Sequence, residues 1–594
     1  MAAPVAVQNG IAVLSAPRQR WILADPHPQE AEALAQSAHI PVVLAELLIA
    51  RGINNASEAF AFLNPEVAQL HDPLLMLGMK AAVERAESAI ARKEPILLYG
   101  DYDVDGTTAV VLLKTAIELL GGVVHFHVPH RLREGYGLQS AVLEAAYAEG
   151  VRLVITVDTG MRAFAEAETA RRLGLDLIIT DHHLARVDDA VPIALAILNP
   201  NQHQCGYPEK SLCGASIALK LAQALLERHN AERTRDKLLP SFLKMAAIAT
   251  IADAVPLKGE NRVIAALGLR ELRRPVGAGL RALFAAAQLD PATKPLSGFD
   301  VAFRLAPRIN AAGRMDVASD IIDLFCTRDT ARATELANKL ENLNRERRET
   351  EARALAAIEK RLATDAELAA ARLVVVDGDG WHRGVIGILA SRVVERTAKP
   401  ALVISVEDGV AHGSGRSVDG FQLLEAIETC ADLFTRFGGH AFAVGFALPA
   451  ASLPELKRRL AECAAERLAE REPERVLKIH AELPLHQITA VIAGWLRKLE
   501  PLGHGNPEPI FVARGVRLLA SPRIMKDRHL RLELAQEEGA AATRAVGWDM
   551  AARSAELGLI QGSHIDVAYR IRENLHPDFG GLEIEIAGIQ TPVA

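Results

Sequence analysis

Short apolar runs alternate with longer helix-prone segments between Pro95 and His183. The runs ILLYG, VVHFHV, RLVITVDTG and DLIITDHH are typical of buried β-strands, and segments such as TTAVVLLKTAIELLGG and SAVLEAAYAEG are typical of helices. Alternation of strands with helices favours parallel pairing, because each helix returns the chain to the starting edge of the sheet. The pattern predicts an α/β domain with a mostly parallel sheet and helices on both faces.

The pattern changes several times along the rest of the chain. Residues 328–364 contain neither glycine nor proline and predict one long helix with mixed charges. The stretch HLRLEL near the C-terminus alternates polar and leucine positions, which is typical of a half-buried strand. The predicted segments are a helical N-terminal lead-in at 1–74, a first α/β domain at 75–320, a connecting helix at 321–370, a second α/β domain at 371–472 and a β-rich domain at 473–594.

Composition limits the class of protein. A chain of 594 residues, half of them apolar and 24% charged, is too long for one core and has ordinary globular composition. The 67 basic and 74 acidic residues give 67 − 74 = −7, so any nucleic-acid site must be local. The five cysteines lack CxxC spacing, which predicts neither a disulfide framework nor a thiolate zinc site and favours the cytoplasm. No signal peptide or long apolar span is expected.

Polar residues follow the predicted strands at the point where each strand ends. ILLYG is followed by Asp101, Asp103 and Asp105, and LVITV is followed by Asp158. LIIT is followed by Asp181 and the pair His182 and His183. Carboxyl ends of parallel strands meet at one edge of a sheet, so we expect these side chains to converge. If residues 101–105 are extended, their three carboxylates share one face. Asp253 in IATIADAVPL could join them from a neighbouring helix or loop.

A cluster of like charges needs a cation. Neighbouring carboxylates raise one another's pKa and oppose burial, and a divalent ion removes that repulsion. Oxygen and imidazole ligands without thiolate favour Mn²⁺ or Mg²⁺, and the number of ligands suggests two ions, an arrangement suited to displacement at phosphorus. Any single aspartate could instead cap a helix, but the joint pattern favours metal. A calcium loop is excluded because its twelfth position is Leu112 and not glutamate.

The motifs GDYDVDGTTA, VDTG, TDHH and DAVPL together resemble the DHH phosphoesterase superfamily. APRINAAGRMD and GGHAFAVGF resemble motifs of its members that degrade single-stranded DNA. The resemblance runs from about residue 75 to the C-terminus. It implies an α/β multidomain fold, in which a parallel-sheet DHH domain is joined by a long helix to a smaller α/β DHH-associated domain and followed by a C-terminal OB-fold β-barrel. It also implies an active site in the cleft between the two α/β domains.

The resemblance implies roles for individual residues. The expected metal ligands are Asp103, Asp105, Asp158, His182 and Asp253. Asp158 is the candidate bridge between two ions. Asp101 is expected in the same site as a ligand or as the partner of a ligand. His183 is expected to contact the scissile phosphate or to support proton transfer.

Other residues resemble family positions that hold DNA. The expected contacts with the backbone or the 5′-phosphate are Arg131, Arg308 and Arg314. The glycine-bearing pieces HGSGRS and FGGHA are expected to form the opposite wall of the cleft, with the substrate-binding residues Ser414, Arg416, Ser417 and His440.

A basic stretch in the β-rich domain predicts an electrostatic track for a sugar-phosphate backbone, although ordinary surface charge explains it as well. Its residues are Arg514, Arg517, Arg523, Lys526, Arg528 and Arg531. Aromatic residues make up only 4% of the chain, and Phe511, Trp548 and Tyr569 are as compatible with a core as with base stacking.

The sequence therefore predicts a monomeric, Mn²⁺- or Mg²⁺-dependent exonuclease. We expect it to degrade single-stranded DNA from the 5′ end to 5′-mononucleotides in repair and recombination, with single-strand-binding protein as a candidate partner. Two alternatives stay open at this point: a phosphodiesterase of short oligonucleotides or cyclic dinucleotides, and a non-catalytic DNA-binding scaffold.

Overall fold

The computed structural model describes most of the chain in two compact units. The described residues are 7–8, 11–12, 18–131, 133–135, 137–186, 189–274, 276–315, 318–468, 474–537, 539, 541–574 and 580–592. The larger unit comprises Leu23–Glu341 and Lys478–Ala594, and the smaller comprises Met1–Ile22 and Asn342–Leu477. Within the described part, no single helix is long and apolar enough to cross a membrane.

Three short strands and three helices begin the chain. They are β1 (Val7–Gln8), β2 (Ile11–Ala12), β3 (Arg18–Leu23), α1 (Pro28–Ala38), α2 (Val42–Ile49) and α3 (Ala56–Leu63). The predicted lead-in is thus not purely helical, since three strands precede its helices.

A five-stranded parallel sheet follows, as the strand–helix alternation predicts. Its elements are α4 (Met79–Arg92), β4 (Pro95–Gly100), α5 (Val104–Leu119), β5 (Val123–His127), α6 (Ser140–Ala148), β6 (Leu153–Val157), α7 (Phe164–Leu173), β7 (Asp176–Thr180) and β8 (Ala196–Leu198). The strand order is β5-β4-β6-β7-β8, and every neighbouring pair is parallel. All residues of β6 are buried, which explains its unbroken apolar sequence. The carboxyl ends of β4, β6 and β7 lie side by side.

A helical region packs beside this sheet. It contains α8 (Gly214–Arg233), α9 (Leu239–Ala252), α10 (Gly259–Glu271), α11 (Ala278–Ala286), α12 (Gly298–Asp300), α13 (Ala306–Met315), α14 (Ser319–Cys326) and the beginning of α15 (Thr330–Thr364). From Asn342 onward, α15 belongs to the smaller unit. Helix α15 is 35 residues long and occupies the stretch predicted to be helical.

The smaller unit contains a second, mixed sheet. Its elements are α16 (Ala366–Ala370), β9 (Val374–Asp379), α17 (Ile386–Thr397), β10 (Ala401–Glu407), β11 (Val410–Arg416), α18 (Leu423–Glu428), β12 (Arg436–His440), β13 (Ala443–Pro449) and α19 (Leu453–Arg467). The order is β12-β13-β11-β10-β9, with only the β9–β10 pair parallel. Apolar residues of α17 pack on one face of this sheet, and those of α18 and α19 pack on the other.

The C-terminal region forms a closed barrel, as expected for an OB-fold. Before it, β14 (Glu474–Ile479) pairs with β3 in a separate two-stranded sheet. The elements of the barrel region are β15 (Ala481–Glu482), α20 (Ala490–Arg497), β16 (Phe511–Leu518), β17 (Arg523–Met525), β18 (His529–Ala535), β19 (Thr543–Gly547), α21 (Ala551–Glu556), β20 (His564–Asn574) and β21 (Gly581–Gln590). Pairing of β16 with β18 closes the ring β16-β20-β21-β19-β18. Buried residues of α1, α2 and α3 share one hydrophobic core with this barrel.

One buried arginine ties three distant segments of the larger unit together. Arg262 on α10 is 2% exposed and donates hydrogen bonds to the backbone oxygens of Phe62, Lys498, Leu499 and Glu500, at 2.8 to 3.0 Å. Its guanidinium also lies 3.7 Å from the centroid of the Phe62 ring. The planar guanidinium of arginine, with five N–H donors, can reach all of these oxygens, whereas the compact ammonium of lysine cannot.

We therefore expect Arg262→Lys to lower the stability of the larger unit by about 3 kcal/mol, because carbonyl oxygens lose their donors in a buried site. Differential scanning calorimetry would measure this as a lower melting temperature. Arg270→Lys is the matched control, since Arg270 is an exposed residue of the same helix. Equal melting temperatures for the two variants would contradict the structural role of Arg262.

Candidate metal centre

The turn from β4 into α5 brings three aspartates together. Asp101 follows the strand and is buried, Asp103 is the N-cap of α5, and Asp105 lies in the first turn of that helix. Asp103 Oδ1 accepts the Gly106 amide at 3.0 Å. A Cβ on Gly106 would lie 2.6 Å from backbone atoms of Asp101, so only glycine allows this tight turn. The expectation of an extended segment is wrong, because the capping side chain starts the helix at Val104.

Asp105 is anchored by the N-terminus of α8. Its Oδ2 accepts the Gly214 amide at 2.6 Å and its Oδ1 accepts the Ala215 amide at 2.8 Å. A Cβ on Gly214 would lie 2.6 Å from Asp158 Cβ, so glycine lets α8 approach both aspartates. Each carboxylate oxygen keeps a second lone pair, and Asp105 can therefore still ligate an ion.

Asp158 follows β6 in an unusual backbone conformation. Its φ is 61°, in the left-handed region that costs free energy for residues other than glycine. Its amide donates to Thr180 O at 2.9 Å, which fixes it to the neighbouring strand. Asp158 Oδ1 is buried and accepts no hydrogen bond from the described residues. The nearest imidazole nitrogen, His182 Nε2, lies 3.2 Å away.

Asp181 holds the histidine pair in position. Its Oδ1 accepts the amides of His182 at 2.8 Å and His183 at 3.1 Å, and lies 2.7 Å from His183 Nδ1. Its Oδ2 accepts the Met161 amide at 2.8 Å. Burial alone would raise the pKa of Asp181, but these hydrogen bonds hold it below the ordinary value. Asp181 follows a predicted strand, but no role is predicted for it; its place beside two histidines in the sequence is the signal that indicates one.

Asp253 completes the cluster from a helix. It is the C-cap of α9, and its Oδ2 lies 3.9 Å from His182 Nε2. Three groups each offer ligand atoms within 4.8 Å of one another: Asp101 with Asp103 and Asp158; Asp105 with His182 and Asp253; and Asp158 with His182 and His183. The structure thus brings together all seven residues that the sequence analysis assigns to the metal site. Asp158 and His182 each belong to two of these groups.

The carboxylates of the cluster repel one another unless protons or a cation neutralise them. Burial, together with the neighbouring carboxylates, raises the pKa of Asp101 to about 8 and that of Asp253 to about 9. The same causes raise the pKa of Asp103 and raise that of Asp158 well above its ordinary value. Asp101 Oδ1, like Asp158 Oδ1, is buried without a hydrogen-bond partner among the described residues. Buried oxygens without donors fit divalent-ion ligands.

The predicted phosphate-binding arginines differ in their surroundings. The Arg131 guanidinium lies 4.9 Å from the centroid of the Tyr102 ring, and its charge offsets part of the rise in the pKa of Asp101 that burial and Asp103 cause. Arg314 also acts electrostatically on Tyr102. Arg308 instead pairs with Glu341, with Nε to Oε2 at 2.5 Å, and donates to Arg304 O. The structure therefore brings Arg131 and Arg314 to Tyr102, whereas a carboxylate already engages Arg308.

Two residues of the APRINAAGRMD motif hold α13 against the acidic turn. Asn310 Oδ1 accepts the Val104 amide at 3.2 Å. A Cβ on Gly313 would lie 2.2 Å from Tyr102 O, so this glycine permits the close approach. Neither residue has a predicted role, although both lie in a motif that resembles the family.

The other predicted substrate residues lie in the smaller unit. Ser414 and Arg416 are on β11, where Arg416 Nη1 lies 3.3 Å from Ser414 Oγ. Ser417 Oγ donates to Phe421 O at 2.6 Å, and His440 is exposed at the end of β12. Burial lowers the pKa of Arg416.

The barrel separates the predicted DNA-binding residues into core and surface. Phe511 and Tyr569 are buried in the barrel, whereas Trp548 is 54% exposed. Arg514 lies 3.3 Å from Glu482 and 3.5 Å from Asp566, and Arg528 lies 2.8 Å from Asp549. Exposed residues without an ion pair within the described barrel are Arg517, Arg523, Lys526 and Arg531.

The parallel sheet with its acidic edge, the long helix, the second α/β sheet and the barrel define a DHH phosphoesterase with an added OB domain. Matching family models support each part: the DHH family N-terminal domain at residues 95–250, the DHHA1 domain at 366–466 and the RecJ OB domain at 479–587.

The chain belongs to the RecJ family. It is 36% identical to the single-stranded-DNA-specific exonuclease RecJ of Bacillus subtilis over 564 residues, covering 93% of this chain and 68% of the relative. It is 33% identical to RecJ of Escherichia coli K12, covering 93% and 92%. The crystal structure of Thermus thermophilus RecJ in complex with Mn²⁺ matches with a TM-score of 0.82 and 29% identity, covering 97% of this chain and 80% of that one.

The raised pKa values give a pH dependence of stability. In the folded chain, carboxyls with a pKa of about 8 or 9 keep their protons up to that pH, whereas in the unfolded chain they lose them above about pH 4. The stability of the metal-free protein therefore falls as the pH rises from about 4 to about 9. Mn²⁺ should reduce that fall, because it replaces the protons. Thermal melts between pH 5 and 9, values chosen around these pKa values, would test this with and without Mn²⁺.

The double variant Asp101→Asn, Asp253→Asn should flatten the metal-free pH profile and weaken the stabilisation by Mn²⁺. Glu149→Gln is the control, since Glu149 is an exposed acid at the end of α6. A double variant that keeps the wild-type pH profile would show that these carboxyls do not repel one another in the folded chain.

Proposed function

We propose that the chain is a Mn²⁺- or Mg²⁺-dependent exonuclease that degrades single-stranded DNA in the 5′ to 3′ direction and releases 5′-mononucleotides in DNA repair and recombination. The observation that carries this function is the convergence of six acidic and imidazole groups around Asp158, which itself contributes a buried oxygen without a hydrogen-bond donor. The exonuclease names of the relatives support the same activity.

The metal ligands in this proposal are Asp103, Asp105, Asp158, His182 and Asp253, with Asp101 as a ligand or as the partner of one. Two bound ions would supply a hydroxide nucleophile at neutral pH and neutralise charge on the phosphate. The amides of Gly106, Gly214 and Ala215 orient the carboxylates of Asp103 and Asp105 before any ion binds. The site is therefore organised by hydrogen bonds that ion binding does not have to create.

His183 is the proposed proton carrier. Burial alone would lower its pKa, but the hydrogen bond and charge of Asp181, with the charges of Asp253 and Asp101, raise it to about 9, so the imidazole of the metal-free chain is cationic at neutral pH. Since Asp181 holds Nδ1, Nε2 is the atom with which His183 would donate to the phosphate or to the departing 3′-oxygen.

Arg131 and Arg314 are the proposed contacts with the phosphate in the larger unit. Both act on Tyr102, which adjoins Asp101 and Asp103, and a guanidinium can bind phosphate with two parallel hydrogen bonds. Arg308 would have to leave Glu341 to make such a contact. In the smaller unit, Ser414, Arg416, Ser417 and His440 are proposed to bind the same substrate.

The domain roles follow from these assignments. We propose a DHH catalytic domain at 75–320, a connecting helix at 321–370, a DHH-associated substrate domain at 371–472 and an OB-fold at 473–594. The matched family ranges support them. The barrel favours long single strands over short oligonucleotides as substrate. A monomer, a cytoplasmic location and single-strand-binding protein as partner complete the proposal; the free cysteines support that location.

The function is tested by digesting a 5′-phosphorylated single strand, the same sequence as duplex, and a dinucleotide with Mn²⁺. We expect mononucleotides from the single strand only. Asp158→Ala should lower the rate by at least about 10³-fold, because both proposed ions lose a shared ligand. Glu149→Gln should retain full activity. Preferred cleavage of the dinucleotide would favour the short-oligonucleotide phosphodiesterase, and no cleavage by the wild-type chain would favour the scaffold.

Arg131→Gln should lower kcat/KM for the 5′-phosphorylated strand by about 30-fold, because the loss of one charge-assisted hydrogen bond to phosphate costs about 2 kcal/mol. Arg133→Gln is the control, since Arg133 is an exposed arginine of the same loop. Steady-state kinetics would measure both variants. Equal kcat/KM values would rule Arg131 out as a phosphate contact.

A further inference from the structure

One face of the second sheet is partly exposed beyond α17, although Ala447 on it is buried, and this face carries a regular arrangement of side chains. His412, Ser414 and Arg416 alternate along β11 and therefore share a face. Strand register continues each of these positions across β13 onto β12. The three rows are His412, Ala447 and Arg436; Ser414, Gly445 and Gly438; and Arg416, Ala443 and His440. We call the strip formed by these rows the trough.

The middle row of the trough contains two glycines, Gly445 and Gly438, whose packing and backbone conformation do not require glycine. A Cβ on Gly445 or Gly438 would meet no atom within 4 Å, and neither residue has a positive φ. Gly413, on the opposite face of the same sheet, differs, because a Cβ there would lie 2.0 Å from the Phe446 ring. The fold therefore requires glycine on the core face, but nothing in its packing requires glycine on the open face.

Arginine and histidine side chains border both ends of the trough. Arg416 and His440 lie in one end row, and His412 and Arg436 lie in the other. Arg383 lies in the loop before α17 and acts on the second end. The pKa of His412 is lowered mainly by burial and further by the charges of Arg383 and Arg436. Burial and the charge of Arg436 also lower the pKa of Arg383.

The arginines of the trough have no acidic partner at short range. None of Arg383, Arg416 and Arg436 forms an ion pair within 4.0 Å among the described residues, although all three arginines on α19 do. Among the described residues, Glu407 is the acid whose charge acts on both Arg383 and His412, and it forms no ion pair within 4.0 Å with either. Repulsion between unpaired cations is relieved by a bound anion.

We propose that the trough binds the backbone of the single strand and that Arg383, Arg436 and His412 hold a second phosphate. Four residues along β11 separate this end from the Arg416 end, a distance of about 13 Å. That distance exceeds the spacing between neighbouring phosphates of one strand, so the two ends hold different phosphates of the same molecule. The uncharged floor between them receives the intervening sugars and bases. This inference rests on the proposed function, because it extends the substrate site of the same enzyme.

A binding experiment on the full chain tests the second phosphate position. In an Asp158→Ala background, which prevents digestion, Arg383→Gln and Arg436→Gln should each raise the Kd for a labelled long oligothymidylate on the order of tenfold. Each should also reduce the slope of log K against log salt by about 0.7, the value for one phosphate contact on a single strand. Binding of a dinucleotide, too short to reach both ends, should not change.

Arg458→Gln is the matched control. Arg458 is an exposed arginine of α19, and that helix packs on the opposite face of the sheet. If Arg383→Gln and Arg436→Gln bind the long strand as Arg458→Gln does, the second phosphate position does not exist.

Gly445→Val tests the floor without removing a charge. Since a Cβ at Gly445 meets no neighbouring atom, the variant should melt at or above the wild-type temperature, and its branched side chain should still raise the Kd for the long strand. Wild-type affinity in a folded Gly445→Val protein would overturn the trough as the path of the strand.

The experiments distinguish failure of the proposed function from failure of the proposed second phosphate position. A wild-type chain that binds DNA through the trough but does not cleave it would refute the nuclease and leave the trough intact. If the wild-type chain cleaves DNA but Arg383→Gln and Arg436→Gln bind the long strand with the affinity of the control, the nuclease function stands and the second phosphate position is refuted.

Discussion

The repulsion among carboxylates buried at one edge of the parallel sheet is the constraint on which the rest of the structure depends. Asp101, Asp105 and Asp158 are 6% exposed or less, and each lies within ligand distance of another acid or imidazole. The backbone offsets part of this repulsion, because amides at the starts of α5 and α8 donate to Asp103 and Asp105. The remaining charge must be neutralised by protons or by metal ions.

The same constraint explains several local features. Gly106 and Gly214 admit backbone where a Cβ would collide with an aspartate, and Asp158 adopts a strained φ between two strands that fix it. Such strain persists where surrounding structure enforces it, and it is common at functional sites. Asp181 differs from its neighbours because donors surround its carboxylate, so it orients the histidines and remains ionised.

Periodicity and spacing predicted the parallel sheet and the convergence of strand ends, since both follow from local apolar runs and from the geometry of parallel strands. The same reasoning gave the wrong conformation for residues 101–105, because a capping hydrogen bond outweighed the alternation. It did not place Asp253, whose position depends on how α9 packs. The pairing of Arg308 with Glu341 was equally hidden, because the two residues meet only after α13 and α15 pack. The packing of α1, α2 and α3 on the barrel is a tertiary choice that an amphipathic pattern does not specify.

Anomalous diffraction from crystals of the full chain soaked in Mn²⁺ tests the central claim most directly, because it locates the ions without reference to activity. The account predicts two peaks about 4 Å apart, bridged by Asp158, with His182 and Asp253 among their ligands. Crystals that show no peak within reach of Asp158, or Mn²⁺ only at other surface carboxylates, would contradict it.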